Sequence, residues 1–245
     1  MIKKLRILYF TFFMFSILMG CIKKDIENDI SSGLIAYYPF NGSTNDESGN
    51  GNHGTGYGVE LTKDRLGKNN KAYYFSAANC DTRIEANINT QSIKTGFTIS
   101  FWMKSDLSED CTGTHTLLKF GKLRDGVGGS WFRMHRDNYN KKDSFVRNSN
   151  YGGDGQRYPI NNEWRHITFT FDGIVENFYL NGKFIGNDKK SSKIPYLPGN
   201  AVFGRDNELG WGESKISYTY KGSMDEIRIY DKVLNEDQIK YLSTL

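Results

Sequence analysis

The sequence is poor in the residues and motifs that enzymes use for chemistry. It holds only 4 His and 3 Cys among 245 residues, and neither set has the spacing of a zinc site. It contains no Gly-x-Ser-x-Gly elbow and no glycine-rich phosphate loop. The adjacent pairs Asp225-Glu226 and Glu236-Asp237 would point in opposite directions on a strand or lie side by side on a helix. A retaining glycosidase instead needs two carboxylates that face each other about 5 Å apart. We therefore predict a protein that is not an enzyme.

Helical patterning and proline are also scarce. The chain has 4 Pro but 26 Gly, and aromatic residues make up 14% of it, which is typical of strands and turns. Segments such as FTISFWMKS (97–105) alternate apolar and polar residues, and Asn181-Gly182 predicts a type I′ hairpin turn. Only the end of the chain has a helical pattern, with Asn235 as its N-cap. The pattern predicts an all-β fold, an antiparallel sandwich or barrel with a short C-terminal helix.

The N-terminal apolar run, Ile7–Met19, is short for a membrane span and has the length of a signal-peptide core. It follows a basic start and ends at Leu-Met-Gly-Cys, which resembles a bacterial lipobox whose cysteine, Cys21, is acylated. We predict a lipoprotein signal peptide at 1–20, a flexible tether at 21–32 and a folded domain at 33–245. The lipid would anchor the domain to the outer membrane of the cell envelope, at the cell surface. An uncleaved membrane anchor is the alternative.

The predicted mature chain has little net charge. Removal of Lys3, Lys4 and Arg6 with the signal peptide lowers the formal net charge from +4 to +1. No basic run with interleaved aromatic residues occurs, and a secreted protein would not meet nucleic acid inside the cell. These features exclude nucleic acid as a partner.

Two cysteines remain besides the predicted lipid site. An oxidising envelope permits a disulfide between Cys80 and Cys111. Two separate thiols are the alternative, and the sequence leaves both open.

Several segments together resemble one family. GLIAYYPFNGSTNDESGNGNHG (33–54) opens the domain and GSMDEIRIYDKVLNEDQIKYL (222–242) closes it, and RLGKNNKAYYF, FTISFWMK, EWRHITFTFDG and FYLNGKFIG lie between them in that order. They resemble the concanavalin A-like, laminin G-type domains of secreted bacterial proteins, over Gly33–Leu245. The resemblance implies a jelly-roll sandwich of two antiparallel sheets, one of them concave. It also implies calcium in many members, and binding or adhesion in place of catalysis.

The segment NDESGNGNHGTGYG (45–58) holds five glycines and three asparagines in fourteen positions. This composition excludes a stable helix or an ordinary strand. Because the resemblance places the first and last strands together, Asp225 would lie near this loop. We therefore expect Ca²⁺ to be held by the Asp46 and Asp225 carboxylates, with further oxygens from Asn50 and Asn52. The alternative is that Asp46 only forms an Asx-turn and Asp225 pairs with an arginine.

Aromatic and planar polar side chains outside the segments that carry the resemblance are candidates for binding a ligand. An indole stacks on the apolar face of a sugar ring, and planar polar groups bind its hydroxyls. Trp102 and Trp164 fall in strand patterns of the resembling family, so we assign them to packing, and we interpret His166 as structural. The remaining candidates would line a groove on or beside the concave sheet; they are Trp131, Arg133, His135, Tyr151, Arg157 and Trp211.

The sequence supports three interpretations of function. The first is a surface-anchored, non-catalytic recognition domain, stabilised by calcium, that binds a glycan or another extracellular polymer. The second is a protein–protein adhesin or a structural subunit of an outer-membrane complex. The third is an enzyme, because the resembling fold also carries glycoside hydrolases and polysaccharide lyases, and Arg133, His135, Arg136 and Tyr139 would suit a lyase.

Overall fold

The computed structural model describes residues 29–76, 81–106, 114–120, 130–137, 142–147, 157–159, 162–189, 200–205 and 219–245. In 130–137, 142–147 and 157–159 it describes the backbone. Within these ranges no helix is both long and apolar enough to cross a membrane. The predicted signal peptide and most of the predicted tether lie outside the described residues, as do Cys21, Cys80, Cys111, Tyr151 and Trp211.

Fifteen strands occur in the described ranges, followed by a C-terminal helix, Glu236–Leu242. The first seven are β1 (Leu34–Tyr38), β2 (Gly54–Tyr57), β3 (Glu60–Thr62), β4 (Ala72–Phe75), β5 (Arg83–Asn87), β6 (Phe97–Ser105) and β7 (Thr114–Phe120). The other eight are β8 (Ser130–Asp137), β9 (Lys142–Arg147), β10 (Arg157–Pro159), β11 (Arg165–Phe171), β12 (Val175–Leu180), β13 (Lys183–Lys189), β14 (Asn200–Phe203) and β15 (Gly222–Tyr230).

The strands form two sheets. Sheet A has eight strands in the order β13-β12-β11-β6-β15-β4-β3, with β1 also paired to β15. Sheet B has seven strands in the order β10-β9-β8-β7-β14-β5-β2. The strand pairs of both sheets are antiparallel. This confirms the predicted all-β sandwich, and the β1–β15 pair confirms that the first and last strands lie together.

The core lies between the two sheets, and period-two alternation decides which residues enter it. Alternate residues of β6 from Phe97 to Met103 and of β11 from Ile167 to Phe171 are apolar and buried, and sheet B supplies the residues opposite. The buried set includes Phe97, Ile99, Phe101, Met103, Ile167, Phe169, Phe171, Ile84, Leu118, Phe120 and Phe203. The intervening residues of β6 and β11, such as Ser100 and His166, therefore lie on the outer side of sheet A.

The C-terminal helix covers one end of that outer side. Its Ile239 and Leu242 are fully buried against Tyr179 of β12 and Tyr230 of β15. Asn235 is the N-cap, as predicted, and it forms a complete capping box with Gln238. The helix thus closes an apolar cluster that is separate from the core between the sheets.

Two segments that the sequence analysis left as loops contain strands. Gly54–Tyr57, inside the glycine-rich segment, pairs with β5 at the edge of sheet B, so the exclusion of a strand from 45–58 is wrong there. An edge strand needs a partner ladder on only one side, and the ladder to β5 outweighs the low strand propensity of glycine. Arg157–Pro159 likewise pairs with β9 at the opposite edge.

The predicted hairpin at Asn181-Gly182 is confirmed. Both residues have positive φ, 50° and 74°, as a type I′ turn requires. Leu180 pairs with Lys183 across the turn, and the Asn181 side-chain oxygen accepts the backbone N–H of His166 at 2.9 Å. This turn therefore fixes the start of β11 as well as joining β12 to β13.

Candidate ligand-binding site

The predicted calcium loop is closed by its own hydrogen bonds. Asp46 Oδ1 accepts the backbone N–H groups of Tyr37 at 2.8 Å and Ser48 at 2.9 Å. Its Oδ2 accepts the N–H of Asn52 and the hydroxyl of Ser48, both at 2.9 Å. Burial acts to raise the pKa of Asp46, but these hydrogen bonds outweigh it and lower the pKa below its ordinary value. Asp46 therefore forms the Asx-turn that was the alternative interpretation.

The two asparagines fasten the same loop to β1. Asn50 Nδ2 donates to the carbonyl oxygens of Leu34 at 3.0 Å and Ile35 at 3.2 Å. Asn52 Nδ2 donates to Ile35 at 2.7 Å, and its Oδ1 accepts the N–H of Asn89 at 3.2 Å. The amide groups that were expected to turn toward an ion thus point at the backbone.

The fourth predicted calcium ligand is paired with a cation. Asp225 Oδ2 lies 3.0 Å from Arg65 Nη1, and the two side chains are 2% and 11% exposed. No group of three or more His, Cys, Asp or Glu that could hold a metal occurs in the part of the chain that the structure describes. Because Asp46 is saturated and Asp225 faces a guanidinium, the four residues as placed do not fit Ca²⁺. The calcium site stays a prediction from the sequence.

A row of polar side chains crosses three strands on the outer side of sheet A. Trp102 of β6 stands in register between His166 of β11 and Asp225 of β15. We call these three residues the polar row. The Trp102 and His166 ring centroids are 5.3 Å apart. The guanidinium carbon of Arg65 lies over the indole, 5.1 Å from its centroid, so Arg65 covers the row.

Each residue of the polar row has a buried atom without a hydrogen-bond partner among the described residues. These atoms are Trp102 Nε1, His166 Nδ1 and Asp225 Oδ1. His166 and Asp225 are each 1% exposed, and their other polar atoms are paired, since His166 Nε2 lies 2.8 Å from Ser100 Oγ. A buried polar group without a partner costs about 1–3 kcal/mol. Three such groups lie side by side here, and ordered water or a ligand would satisfy them.

Burial sets the charge of the two titratable groups in the row. It lowers the pKa of His166 to about 3, helped by the nearby charges of Arg228 and Arg65, so the imidazole is neutral at physiological pH. It raises the pKa of Asp225 to about 7, helped by the Glu226 carboxylate and opposed by Arg65. The row therefore combines a neutral imidazole, an indole N–H and a carboxylate that ionises near neutral pH.

A β-bulge in β15 shapes the neighbourhood of Asp225. The register with β6 shifts between Asp225 and Arg228, and Glu226 has φ 56°, a conformation that non-glycine residues rarely adopt. Glu226 pairs with Arg228 at 2.6 Å and accepts the hydroxyl of Tyr37 at 2.9 Å, while the Arg228 guanidinium stacks over Tyr37 at 4.1 Å. The adjacent carboxylates of Asp225 and Glu226 are therefore separated by different arginine partners.

Four of the six predicted ligand-binding residues lie on strands of sheet B. Trp131, Arg133 and His135 are on β8, and Arg157 begins β10. His135 and Arg157 both pair with Ser144 of β9, so they occupy one row across three strands. The backbone thus brings these residues to one edge region of sheet B. Tyr151 and Trp211 fall outside the described residues.

The sequence can now be compared with known proteins. The profile of a family described as concanavalin A-like lectin/glucanases superfamily, Laminin_G_3, matches residues 67–240. The chain belongs to this superfamily. No curated protein matches the chain. The two antiparallel sheets and the pairing of the first and last strands agree with the match.

Several solved structures of similar fold are single domains of larger proteins. Domain 4 of AbnA, a GH43 extracellular arabinanase from Geobacillus stearothermophilus solved with arabinotriose, has a TM-score of 0.62 at 21% identity and covers 86% of this chain and 98% of its own. The binding domain of botulinum neurotoxin DC in complex with SialylT has a TM-score of 0.64 at 15% identity, covering 88% of this chain. The binding domain of Paraclostridial mosquitocidal protein 1 has a TM-score of 0.59 at 20% identity, and it covers 87% of this chain. This chain spans about half the length of each of the two toxin domains.

Of the polar row, the sequence predicted only Asp225 as a site residue, and it did so as a calcium ligand. Trp102 was assigned to packing and His166 to structure because both lie in strand patterns. Alternation alone already places Trp102 opposite to Phe101, on the outer side of its sheet. What the sequence could not show is that Arg65, far away in the chain, covers the indole and pairs with Asp225.

Proposed function

We propose that the protein is a non-catalytic recognition domain that binds a glycan, held at the cell surface by a lipid on Cys21. Its ligand site would lie at the β8–β10 region of sheet B and would use Trp131, Arg133, His135 and Arg157. Tyr151 and Trp211, which lie outside the described residues, remain further candidates.

The single observation that carries this proposal is the shared row of His135, Ser144 and Arg157 across β8, β9 and β10. Three antiparallel strands in register place residues within about 5 Å of their neighbours in the row. Trp131 and Arg133 alternate with the same period along β8. The backbone thereby places a tryptophan, a histidine and two arginines on neighbouring strands, and these are residue types that carbohydrate sites use.

The comparisons support binding in preference to catalysis. The arabinanase domain was solved with arabinotriose and the toxin domain with SialylT, so two proteins of this fold carry sugar-type ligands in their solved complexes. Neither is more than 21% identical to this chain. They support the class of ligand and leave its identity to experiment.

A glycan array tests the proposal. The purified full-length protein, kept in a polyoxyethylene detergent because that detergent carries no sugar, should bind a defined subset of glycans, with arabinotriose among the probes. Trp131→Ala should weaken that binding about fivefold or more, since loss of a stacking ring costs about 1–3 kcal/mol. The matched control is Trp164→Phe, which should leave binding unchanged. Binding to no glycan, or equal binding by Trp131→Ala, would reject the proposal.

A further inference from the structure

The polar row presents three buried polar atoms that form no hydrogen bond with any described residue: Trp102 Nε1, His166 Nδ1 and Asp225 Oδ1. Trp102 Nε1–H is the donor, and Asp225 Oδ1 and the unpaired nitrogen of neutral His166 are acceptors when Nε2–H donates to Ser100. In the other tautomer the His166 nitrogen donates, so a molecule that fits must carry groups that both donate and accept hydrogen bonds within a small space. Two neighbouring hydroxyl groups on one ring do this, and they leave an apolar ring face for the indole.

The floor beneath this position is rigid. Ser100 holds the His166 imidazole at 2.8 Å, and the hairpin residue Asn181 holds the His166 backbone at 2.9 Å. Trp102 and Asp225 lie on the two central strands of sheet A, β6 and β15, which pair along their length. A site with fixed groups loses little entropy when a ligand binds, so few contacts suffice for measurable affinity.

Among the described residues, the Arg65 side chain lies over Trp102 and Asp225 of the row. Arg65 reaches the row from the turn between β3 and β4, and its described contacts there are the Asp225 carboxylate and the indole face. The backbone of this turn is held independently, because Asp64 Oδ1 accepts the N–H groups of Leu66 at 2.9 Å and Lys68 at 2.8 Å. The Arg65 side chain can therefore swing away without unfolding the turn.

We propose that the polar row is a second ligand site, for one hydroxylated sugar ring, and that Arg65 closes it when the ligand is absent. The ring stacks on the Trp102 indole in place of the guanidinium. Its two neighbouring hydroxyls bind Asp225 Oδ1, the unpaired His166 nitrogen and the indole N–H. A metal ion is a poor occupant because the guanidinium stands beside the carboxylate, and an apolar molecule would leave all three polar atoms without partners.

Two-dimensional ¹⁵N NMR of the full-length protein tests this directly. The indole signal of Trp102 is assigned by its loss in Trp102→Phe, and D-galactose, D-glucose and L-arabinose are titrated at pH 8.5, where Asp225 is ionised. At least one sugar should shift this signal in a saturable way. Asp225→Asn should weaken that binding about tenfold, because a charge-assisted hydrogen bond is replaced by a neutral one.

Removal of the cover gives the more specific result. Arg65→Gln should bind the same sugar about tenfold more tightly, because the ligand no longer displaces an ion pair and a cation–π contact before it binds. If Arg65→Gln does not fold, Arg65→Lys keeps the charge and removes the planar stacking group. An unchanged or weaker affinity overturns the role of Arg65.

The outcomes separate this site from the one on sheet B. Trp131→Ala should leave the shift of the Trp102 signal intact even where it abolishes glycan binding on the array. The inference is overturned if no sugar shifts the Trp102 signal. It is equally overturned if the indole proton shows contact with a resident water that saturating sugar does not displace, because an ordered water then completes the row.

Discussion

Asp46 in the glycine-rich loop and Asp225 in the polar row are both nearly inaccessible, at 5% and 1% exposure, yet their surroundings act in opposite directions. Asp46 accepts four hydrogen bonds, three of them from backbone N–H groups, and its pKa is lowered. Asp225 faces fewer donors, the Arg65 guanidinium and the Glu226 backbone N–H, and its pKa is raised to about 7.

The difference shows that burial does not decide the role of a buried carboxylate. What decides it is how many donors the fold directs at the group. The loop uses all of the hydrogen-bonding capacity of Asp46 to hold itself on β1, so Asp46 contributes to stability. Sheet A leaves part of the capacity of Asp225 unused at a cost in stability, which is the arrangement expected of a binding group.

The pH dependence of stability gives the largest contrast. The folded-state pKa of Asp225, about 7, lies above its ordinary value of 3.8, so the folded protein binds this proton more tightly than the unfolded chain does. The stabilisation is complete below about pH 4 and is lost as pH rises to about 7 and above, by about 4 kcal/mol at most. The stability of the wild type relative to Asp225→Asn, from urea unfolding at pH 4 to 8.5, should fall across that window.

Other groups also titrate in this pH range. Their contributions cancel when the free energy of unfolding of Asp225→Asn is subtracted from that of the wild type at each pH. A difference that stays constant from pH 4 to 8.5 would show that Asp225 ionises in the folded protein as it does in the unfolded chain. The Asp225 carboxylate would then be hydrated in the folded protein, and its environment would no longer differ from that of Asp46 in the way described above.

Loss of the Asp46 carboxylate should have the next largest effect. Asp46→Ala removes the partner of the Tyr37 and Asn52 N–H groups and should lower the free energy of unfolding by about 3 kcal/mol in urea titrations at pH 7. Asp46→Asn is the matched variant, because it keeps one acceptor oxygen and should lose less. If Asp46→Ala were as stable as the wild type, the loop would not depend on this network.

The sequence predicts the sandwich and fails at the contacts that decide these roles. Alternation in β6 and β11, the Asn181-Gly182 turn and the Asn235 cap are local signals, and the structure confirms each of them. The environment of Asp46 and Asp225 is not local. The residues next to each aspartate in the sequence do not show which one is saturated by hydrogen bonds. The difference depends on partners from elsewhere in the chain, such as Arg65, which pairs with Asp225. The bulge at Glu226 is also invisible in the sequence, because a non-glycine residue with positive φ has no compositional signal.

Separation of Arg65 from Asp225 should cost less than loss of the Asp46 network. At pH 9, where Asp225 is ionised, Arg65→Ala should lower the free energy of unfolding by about 2 kcal/mol, because a largely buried carboxylate loses its cation. The double variant Arg65→Ala/Asp225→Asn should recover most of that loss, since no buried charge remains. Lys68→Ala, an exposed residue of the same turn, should change stability by less than about 0.5 kcal/mol. An additive double variant would show that the two side chains do not interact energetically.

Calcium should produce the smallest effect, and it tests the original assignment of both aspartates to one site. Because Asp46 is saturated by N–H donors and Asp225 is paired with Arg65, we expect the melting temperature to move by less than about 1 °C between chelator and millimolar calcium, a level above typical extracellular affinities. Magnesium at the same concentration controls for ionic strength. A larger rise with calcium that Asp46→Asn and Asp225→Asn each abolish would restore the metal site. It would also show that the loop opens its hydrogen bonds to take an ion, so that the two carboxylates act together and not in opposite ways.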